Sequence, residues 1–343
     1  MLLKIQTPQN LFNEYDILIN NDFRLDLIKL IKEYEKVLLV TDSNISLNFY
    51  KDILKENVFV KVINPGENSK TIEVYMDLLK VMIENSFSRK SLVIAFGGGV
   101  VGDLSGFLAS SYKRGVDFAL VPTSTLSMVD SCIGGKTALN FGSCKNVIGF
   151  FAPIKKVYIN PLFLETLDEE NYFNGFIEAF KYGLIGDYEL IKIFMECDKN
   201  SIASRQDEII TRSLMVKKKF IEKDYFDKNE RKFLNFGHTL GHAIELKYNI
   251  LHGYAVGIGM LAFANKDVQG EIYNTLCKLY DIKKYLNRLK ANDKDIKHLF
   301  ANDKKYQDGF IDIVYLESYE KPVLKKLSVD EVMEAYNEIC NWK

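Results

Sequence analysis

Short β-branched and aromatic runs at 36–40, 58–63, 92–96, 118–121 and 156–159 alternate with helical patterns along the first half of the chain. This texture predicts an α/β domain spanning residues 1–160. The first four runs end in turn or capping residues, TDSN at 41–44, NPG at 64–66, GGG at 97–99 and PTS at 122–124. Sheets of this kind receive ligands at the carboxyl ends of their strands. From about Leu164 onward the β-branched clusters thin out. Apolar residues then recur at helical spacing over 175–197, 206–223 and 236–267, which predicts a mainly α-helical domain over 161–343. The apolar run at 310–315 reads as a small strand or a buried turn. A cleft between the two halves is the expected place for an active site built from both.

Composition narrows the partners. Hydrophobic residues make up 47% and aromatic residues 13% of the 343 positions, enough to bury two substantial cores. Lys and Arg total 45 against 46 Asp and Glu, a formal net charge of -1, so no general basic field recruits nucleic acid or an anionic membrane. The five cysteines, Cys132, Cys144, Cys197, Cys277 and Cys340, are scattered and form no CxxC pair, which favours a reducing, cytoplasmic compartment. The N-terminus lacks the apolar core of a signal peptide, and no apolar run reaches membrane-spanning length, so a soluble protein is expected. The lysine run 217–219 has the ordinary reading of a solvated helix face.

Run 92–96 leads directly into GGGVVGD at 97–103, which contains Gly-x-Gly-x-x-Gly and then a helical pattern. Glycines permit the close backbone approach that seats a pyrophosphate on the N–H groups of a helix N-terminus, so dinucleotide binding leads over a simple tight turn. The loop follows the third predicted strand rather than the first, which makes the domain a variant of the common Rossmann-like fold. Asp42 and Asn44, and Glu67 and Lys70, stand after the first two strands, where they hold ribose and adenine edges or serve only as caps.

Two segments resemble anion sites: YKRG at 112–115, and DSCIGGKT at 130–137 followed by Lys145 and Asn146. Each is either a fixed cation for a phosphate or a surface loop charge. Three of the four histidines, His238, His242 and His252, fall within fifteen residues. On a helix His238 and His242 share a face, and His252 follows a break near 247–250, so the three suit Zn²⁺ or proton transfer. Glu178 and Lys181 share another apolar helical face. They form an intrahelical ion pair, or Glu178 supplies the hard carboxylate that two histidines lack for a three-ligand catalytic zinc site.

Taken together, PGExxK at 65–70, GGGVVGDLSG at 97–106, SYKRG at 111–115, VPTS at 121–124, VDSCIGGKT at 129–137, KN at 145–146, EAFKYG at 178–183, LNFGHTLGHAIE at 234–245 and LHG at 251–253 resemble the 3-dehydroquinate synthases over nearly the whole chain. That resemblance implies a bound NAD and one divalent metal ion, zinc or cobalt, in a carbon-oxygen lyase acting on a sugar phosphate, 3-deoxy-D-arabino-heptulosonate 7-phosphate. By the resemblance the metal ligands are Glu178, His238 and His252. NAD then meets Asp42, Asn44, Glu67, Lys70, the loop Gly99, Val100, Val101, Gly102 and Asp103, Thr123, Ser124, and the turn Phe163, Leu164, Glu165 and Thr166, with Asp130, Lys136 and Lys145 nearby. Substrate meets Arg114, Lys136, Asn146, Lys181, Lys217, Arg231, Asn235, His242 and one lysine of the pair Lys304 and Lys305. Arg114 is implied to reach across the interface of a homodimer. The implied reaction oxidises C5 with NAD⁺, eliminates phosphate, returns the hydride, opens the ring and closes it by an internal aldol step. His242 is implied to transfer protons.

Four features depart from the family pattern: Ser124 for a second Thr, Cys132 for Ser, Tyr254 where Glu commonly follows His-Gly, and an irregular acidic loop at 224–230. Tyr254 adjoins His252 and is expected to alter that ligand's surroundings. The rival readings are a sister sugar-phosphate cyclase and a metal- and NAD-dependent polyol dehydrogenase, the latter having little use for so many phosphate-directed cations.

Overall fold

In the computed structural model, residues 1–5, 14–142, 144–301, 306–307 and 309–342 are described. The chain forms two compact units, Met1–Leu167 and Asp168–Lys343. The strands of the first unit are β1 (Leu2–Ile5), β2 (Tyr15–Ile19), β3 (Val37–Asp42), β4 (Val58–Ile63), β5 (Leu92–Gly97), β6 (Asp117–Pro122), β7 (Lys136–Phe141), β8 (Cys144–Phe151) and β9 (Ile154–Ile159). Seven of them form one sheet in the order β1-β2-β9-β6-β5-β3-β4, parallel except for the β1–β2 pair. β3, β5 and β6 sit in its middle and are buried almost throughout, which is why they read as unbroken apolar runs. β4 lies at the edge and is only partly covered.

Helices α1 (Arg24–Lys32), α2 (Ile72–Glu84) and α3 (Gly99–Ser111) follow β2, β4 and β5. α2 is capped by Thr71, whose hydroxyl accepts from the Val74 N–H at 3.4 Å. The glycine loop follows the fifth strand in chain order, because β1 and β2 precede the strands that the pattern predicts. β7 and β8 pair as an antiparallel hairpin outside the main sheet. Its exposed second strand carries no burial pattern from which it could have been foreseen.

The second unit contains α4 (Glu169–Gly186), α5 (Tyr188–Glu196), α6 (Gln206–Lys223), α7 (His238–Tyr248), α8 (His252–Ala262), α9 (Lys266–Tyr280), α10 (Ile282–Leu286), α11 (Lys294–Ala301) and α12 (Val329–Cys340). The periodic stretch 175–197 is two helices. Asp187 ends α4, and its carboxylate accepts from the Leu190 N–H to start α5. The unit also holds an antiparallel sheet of β10 (Tyr306–Gln307), β11 (Phe310–Ser318) and β12 (Lys321–Ser328). The run at 310–315 is therefore strand. Its partner β12 went unforeseen because Pro322, Lys325 and Lys326 break its apolar alternation. Among the described residues no helix is long and apolar enough to cross a membrane.

α7 and α8 approach each other through glycine. Gly237, at φ 77°, turns the chain into α7, and a Cβ there would lie 2.6 Å from the Val256 carbonyl oxygen. A Cβ on Gly259 would lie 2.0 Å from the Gly237 carbonyl oxygen. This contact brings His238 and His242 on α7 against His252, the first residue of α8.

Candidate metal centre and nucleotide loop

Glu178 projects from the middle of α4 and is fully buried. One carboxylate oxygen, Oε2, accepts from the Lys181 ammonium one turn on. The other, Oε1, lies 3.6 Å from Nε2 of His238 and 3.6 Å from Nε2 of His252, too far for a hydrogen bond, and it accepts none. A buried anionic oxygen left this way is costly unless a cation completes it. Two imidazole nitrogens and one carboxylate oxygen converging on one point are the donor set of a catalytic zinc-type site.

The outer nitrogens of both imidazoles are tied. His238 Nδ1 lies 3.2 Å from the Phe236 carbonyl oxygen, and His252 Nδ1 lies 2.9 Å from Glu245 Oε2. The rings of His238, His242 and His252 have centroids 5.2–5.6 Å apart, and one nitrogen from each lies within 4.8 Å of the others. Two donor sets are thus available: the three imidazoles, or Glu178 with His238 and His252. His242 is the exposed member of the group, whereas Glu178 Oε1 has no other use.

Burial penalises the Glu178 carboxylate, but the Lys181 ammonium and then His238 and His252 outweigh it and hold its pKa well below the usual range. His238 is held well below the usual imidazole value, first by burial and then by Lys181, so it is neutral. Burial also disfavours a charged His252, but the neighbouring Glu178 carboxylate and the Glu245 carboxylate bonded to its Nδ1 outweigh it and push the pKa up to about 9. Metal and proton therefore compete for His252.

The same unit buries three cations or their stems: Lys181, bonded to Glu178, at 1% exposure, Lys217 at 6% and Arg231 at 2%. The loop before Arg231 is ordered by one side chain. The Asp224 carboxylate accepts from the N–H groups of Lys228, Asn229 and Arg231 at 2.6–3.2 Å, and Arg231 donates to the Tyr225 carbonyl. The irregular 224–230 sequence thus still forms a pinned turn, with Asn235 following at the end of a short 3-10 segment, Glu230–Asn235. Tyr254 is buried, stacks on Tyr285 at 4.4 Å and donates to the Glu170 carbonyl at 3.4 Å. The carboxylate beside His252 is that of Glu245. Lys304 and Lys305 lie outside the described residues.

In the first unit, Gly99, Val100, Val101, Gly102 and Asp103 form the opening turns of α3. Gly98 occupies the N-cap of that helix and offers no side chain to it, an arrangement compatible with an anion at the helix N-terminus. The buried Lys70 ammonium bonds Asp103 and Asn146 and lies 3.8 Å from Glu67. Asn140, which sequence reasoning passed over, closes the group: it donates to Glu67 at 2.8 Å and accepts from the Asn146 N–H at 2.9 Å. Asn146 itself has φ 54°, a strained value held by these contacts. One network therefore joins residues named for NAD (Glu67, Lys70, Asp103) to one named for substrate (Asn146).

Asp42 ends β3, where its carboxylate accepts from the Asn44 N–H at 2.9 Å. Thr123 and Ser124 follow β6, and Asp130 lies in the π-helical turn Ser127–Ser131. Lys136 and Lys145 are exposed on the hairpin, and Arg114 is exposed at φ 69°. Phe163 and Leu164 are core residues, Phe163 packing on Phe23, Phe49 and Phe96. Only Glu165, Thr166 and the backbone of that turn are open to a ligand.

The fold is shared with solved sugar-phosphate cyclases. The chain is similar to a solved 2-deoxy-scyllo-inosose synthase complexed with carbaglucose-6-phosphate, NAD⁺ and Co²⁺, with TM-score 0.87, 21% identity and coverage of 98% of this chain and 100% of that one. It is similar also to ValA, a 2-epi-5-epi-valiolone synthase from Streptomyces hygroscopicus subsp. jinggangensis with NAD⁺ and Zn²⁺ bound, with TM-score 0.85, 22% identity and coverage of 98% and 100%. Residues 60–174 match the family model of the 3-dehydroquinate synthase N-terminal domain, and residues 175–306 that of the C-terminal domain. The 3-dehydroquinate synthase of Clostridium tetani is 38% identical over 96% of this chain and 93% of its own length. That of Clostridium acetobutylicum is 36% identical over 93% and 95%. The chain belongs to the 3-dehydroquinate synthase family.

Proposed function

We propose that this protein converts 3-deoxy-D-arabino-heptulosonate 7-phosphate to 3-dehydroquinate and phosphate, with NAD held by the first unit and one divalent metal ion held by Glu178, His238 and His252 of the second. The observation that carries the reading is the orphaned Glu178 Oε1, equidistant at 3.6 Å from two imidazole nitrogens. When bound, the metal ion supplies Lewis acidity toward substrate hydroxyls, and NAD supplies a reversible hydride acceptor.

The protein's own groups do the rest. The α3 N-terminus and the Lys70–Asp103 pair hold the cofactor, with Asp42, Asn44, Thr123, Ser124, Asp130, Lys136, Lys145 and the 163–166 turn around it. Lys181, Lys217, Arg231 and Asn235, with Arg114, Lys136 and Asn146, bind the phosphate and stabilise the charge that develops as it leaves. The burial of Lys181, Lys217 and Arg231 supports this role, since a fixed cation in a dry site is worth more than one in water. His242 stands one helical turn from His238 and moves protons. The reading includes a cytoplasmic homodimer to which Arg114 contributes across the interface.

Purified protein supplied with Zn²⁺ or Co²⁺, catalytic NAD⁺ and the heptulosonate phosphate should release one phosphate per substrate with no net NADH. Mass spectrometry should identify 3-dehydroquinate. Accumulating NADH would mark a polyol dehydrogenase, a different cyclised product a sister cyclase, and no phosphate release would reject the assignment.

A further inference from the structure

We infer that Glu245 is the positioning residue of the metal centre: its carboxylate fixes His252 in the tautomer that presents Nε2 to the metal. The inference rests on the reading of His252 as a ligand. Glu245 lies seven residues after His238 on α7, two turns along the same face, and its side chain is 17% exposed. Its Oε2 sits 2.9 Å from His252 Nδ1. An ionised carboxylate only accepts, so Nδ1 carries the proton, and in the neutral ring the lone pair is left on Nε2, 3.6 Å from Glu178 Oε1.

The same logic applies to His238 with a weaker partner, the Phe236 carbonyl 3.2 Å from its Nδ1. Both ligands are thereby set to the same tautomer, one by a neutral carbonyl and one by an anion. The anion makes His252 the more basic donor. His252 has greater need of an outside anchor. It is the first residue of α8, at a helix start where the preceding Leu251 makes no side-chain cap. Glu245 supplies that anchor from α7.

The test uses the full chain titrated with Co²⁺ alone, following its visible absorption and competition with a chromophoric chelator, with thermal melts as a folding control. Glu245→Ala should weaken Co²⁺ binding tenfold to a hundredfold. Glu245→Gln, whose amide oxygen still accepts from Nδ1–H, should stay within a few fold and keep the absorption band. In a His252→Ala background, Glu245→Ala should add no further loss. Nitrogen-15 NMR of the Zn²⁺-loaded wild-type protein needs no variant and should show the His252 proton on Nδ1. Co²⁺ binding by Glu245→Ala within twofold of wild type overturns the inference alone, whereas a proton on Nε2 overturns it together with the reading of Nε2 as the ligating atom. Wild-type affinity in His252→Ala overturns the ligand reading, and the inference with it.

Discussion

The N–H of Gly253 donates to the side-chain oxygen of Asn174 at 2.7 Å, and the Asn174 main chain closes over the same residue. A Cβ on Gly253 would stand 1.9 Å from the Asn174 carbonyl oxygen, so α4 and the start of α8 meet here with main chain against main chain. Because a carbonyl cannot rotate away as a side chain can, Gly253→Ala should destabilise the protein by about 1–3 kcal/mol or more. The displaced α8 terminus should also carry His252 out of register and weaken metal binding. Gly270 in α9 has nothing within 4 Å of its would-be Cβ, and Gly270→Ala should stabilise by about 0.5–1 kcal/mol. Urea unfolding of the two variants checks the opposite signs.

The two possible donor sets differ at His242 and Glu178. If Glu178, His238 and His252 hold the metal, His252→Ala and Glu178→Gln should lose tight Zn²⁺ binding in equilibrium dialysis. His242→Ala should retain the metal and lose turnover by about 10²–10⁴-fold, the range for a removed acid–base group. Loss of metal from His242→Ala would instead favour the three-imidazole set.

Much of this was legible in the chain because burial writes itself into composition. β3, β5 and β6 are covered on both faces and read as apolar runs, and the glycine loop lies where β5 meets α3. The strands that escaped notice are those whose surroundings do not show locally. β2 alternates buried with half-buried positions on the sheet's far side, β8 is nearly all exposed, and β12 is recognisable only by pairing with β11. His238, His242 and His252 stood out by rarity and spacing. Glu245 did not, although its seven-residue offset from His238 was available as a signal. What gives it a role is the return of α8 against α7 through Gly237 and Gly259, a tertiary contact that spacing alone does not reveal.

Asp103 offers a test by pH. Burial raises its carboxyl, Lys70 opposes the rise, and the outcome is a pKa of about 6. A carboxyl whose folded pKa lies above its unfolded value of about 3.9 holds extra protons in the native state between those values. Its contribution to stability is therefore present below about pH 4 and lost as pH rises through about 6. Asp103→Asn, measured without NAD, should remove this component, so that wild type falls relative to the variant by up to about 1.4 kcal/mol per pH unit across that window. Parallel stability curves for the two proteins would contradict the assignment.

The Lys181–Glu178 pair makes metal and ammonium partly interchangeable. Both side chains are almost wholly inaccessible, at 2% and 1% exposure, so removing the cation leaves a buried carboxylate without its counter-charge. Lys181→Met keeps the stem volume and deletes only the charge, and it should destabilise the metal-free protein by about 3–5 kcal/mol. A divalent cation at Glu178 Oε1 restores positive charge beside the same carboxylate. Saturating Zn²⁺ should therefore raise the melting temperature of Lys181→Met more than that of wild type and narrow the gap between them. The comparison separates electrostatics from packing, because a defect caused by lost contacts would persist unchanged at every Zn²⁺ concentration.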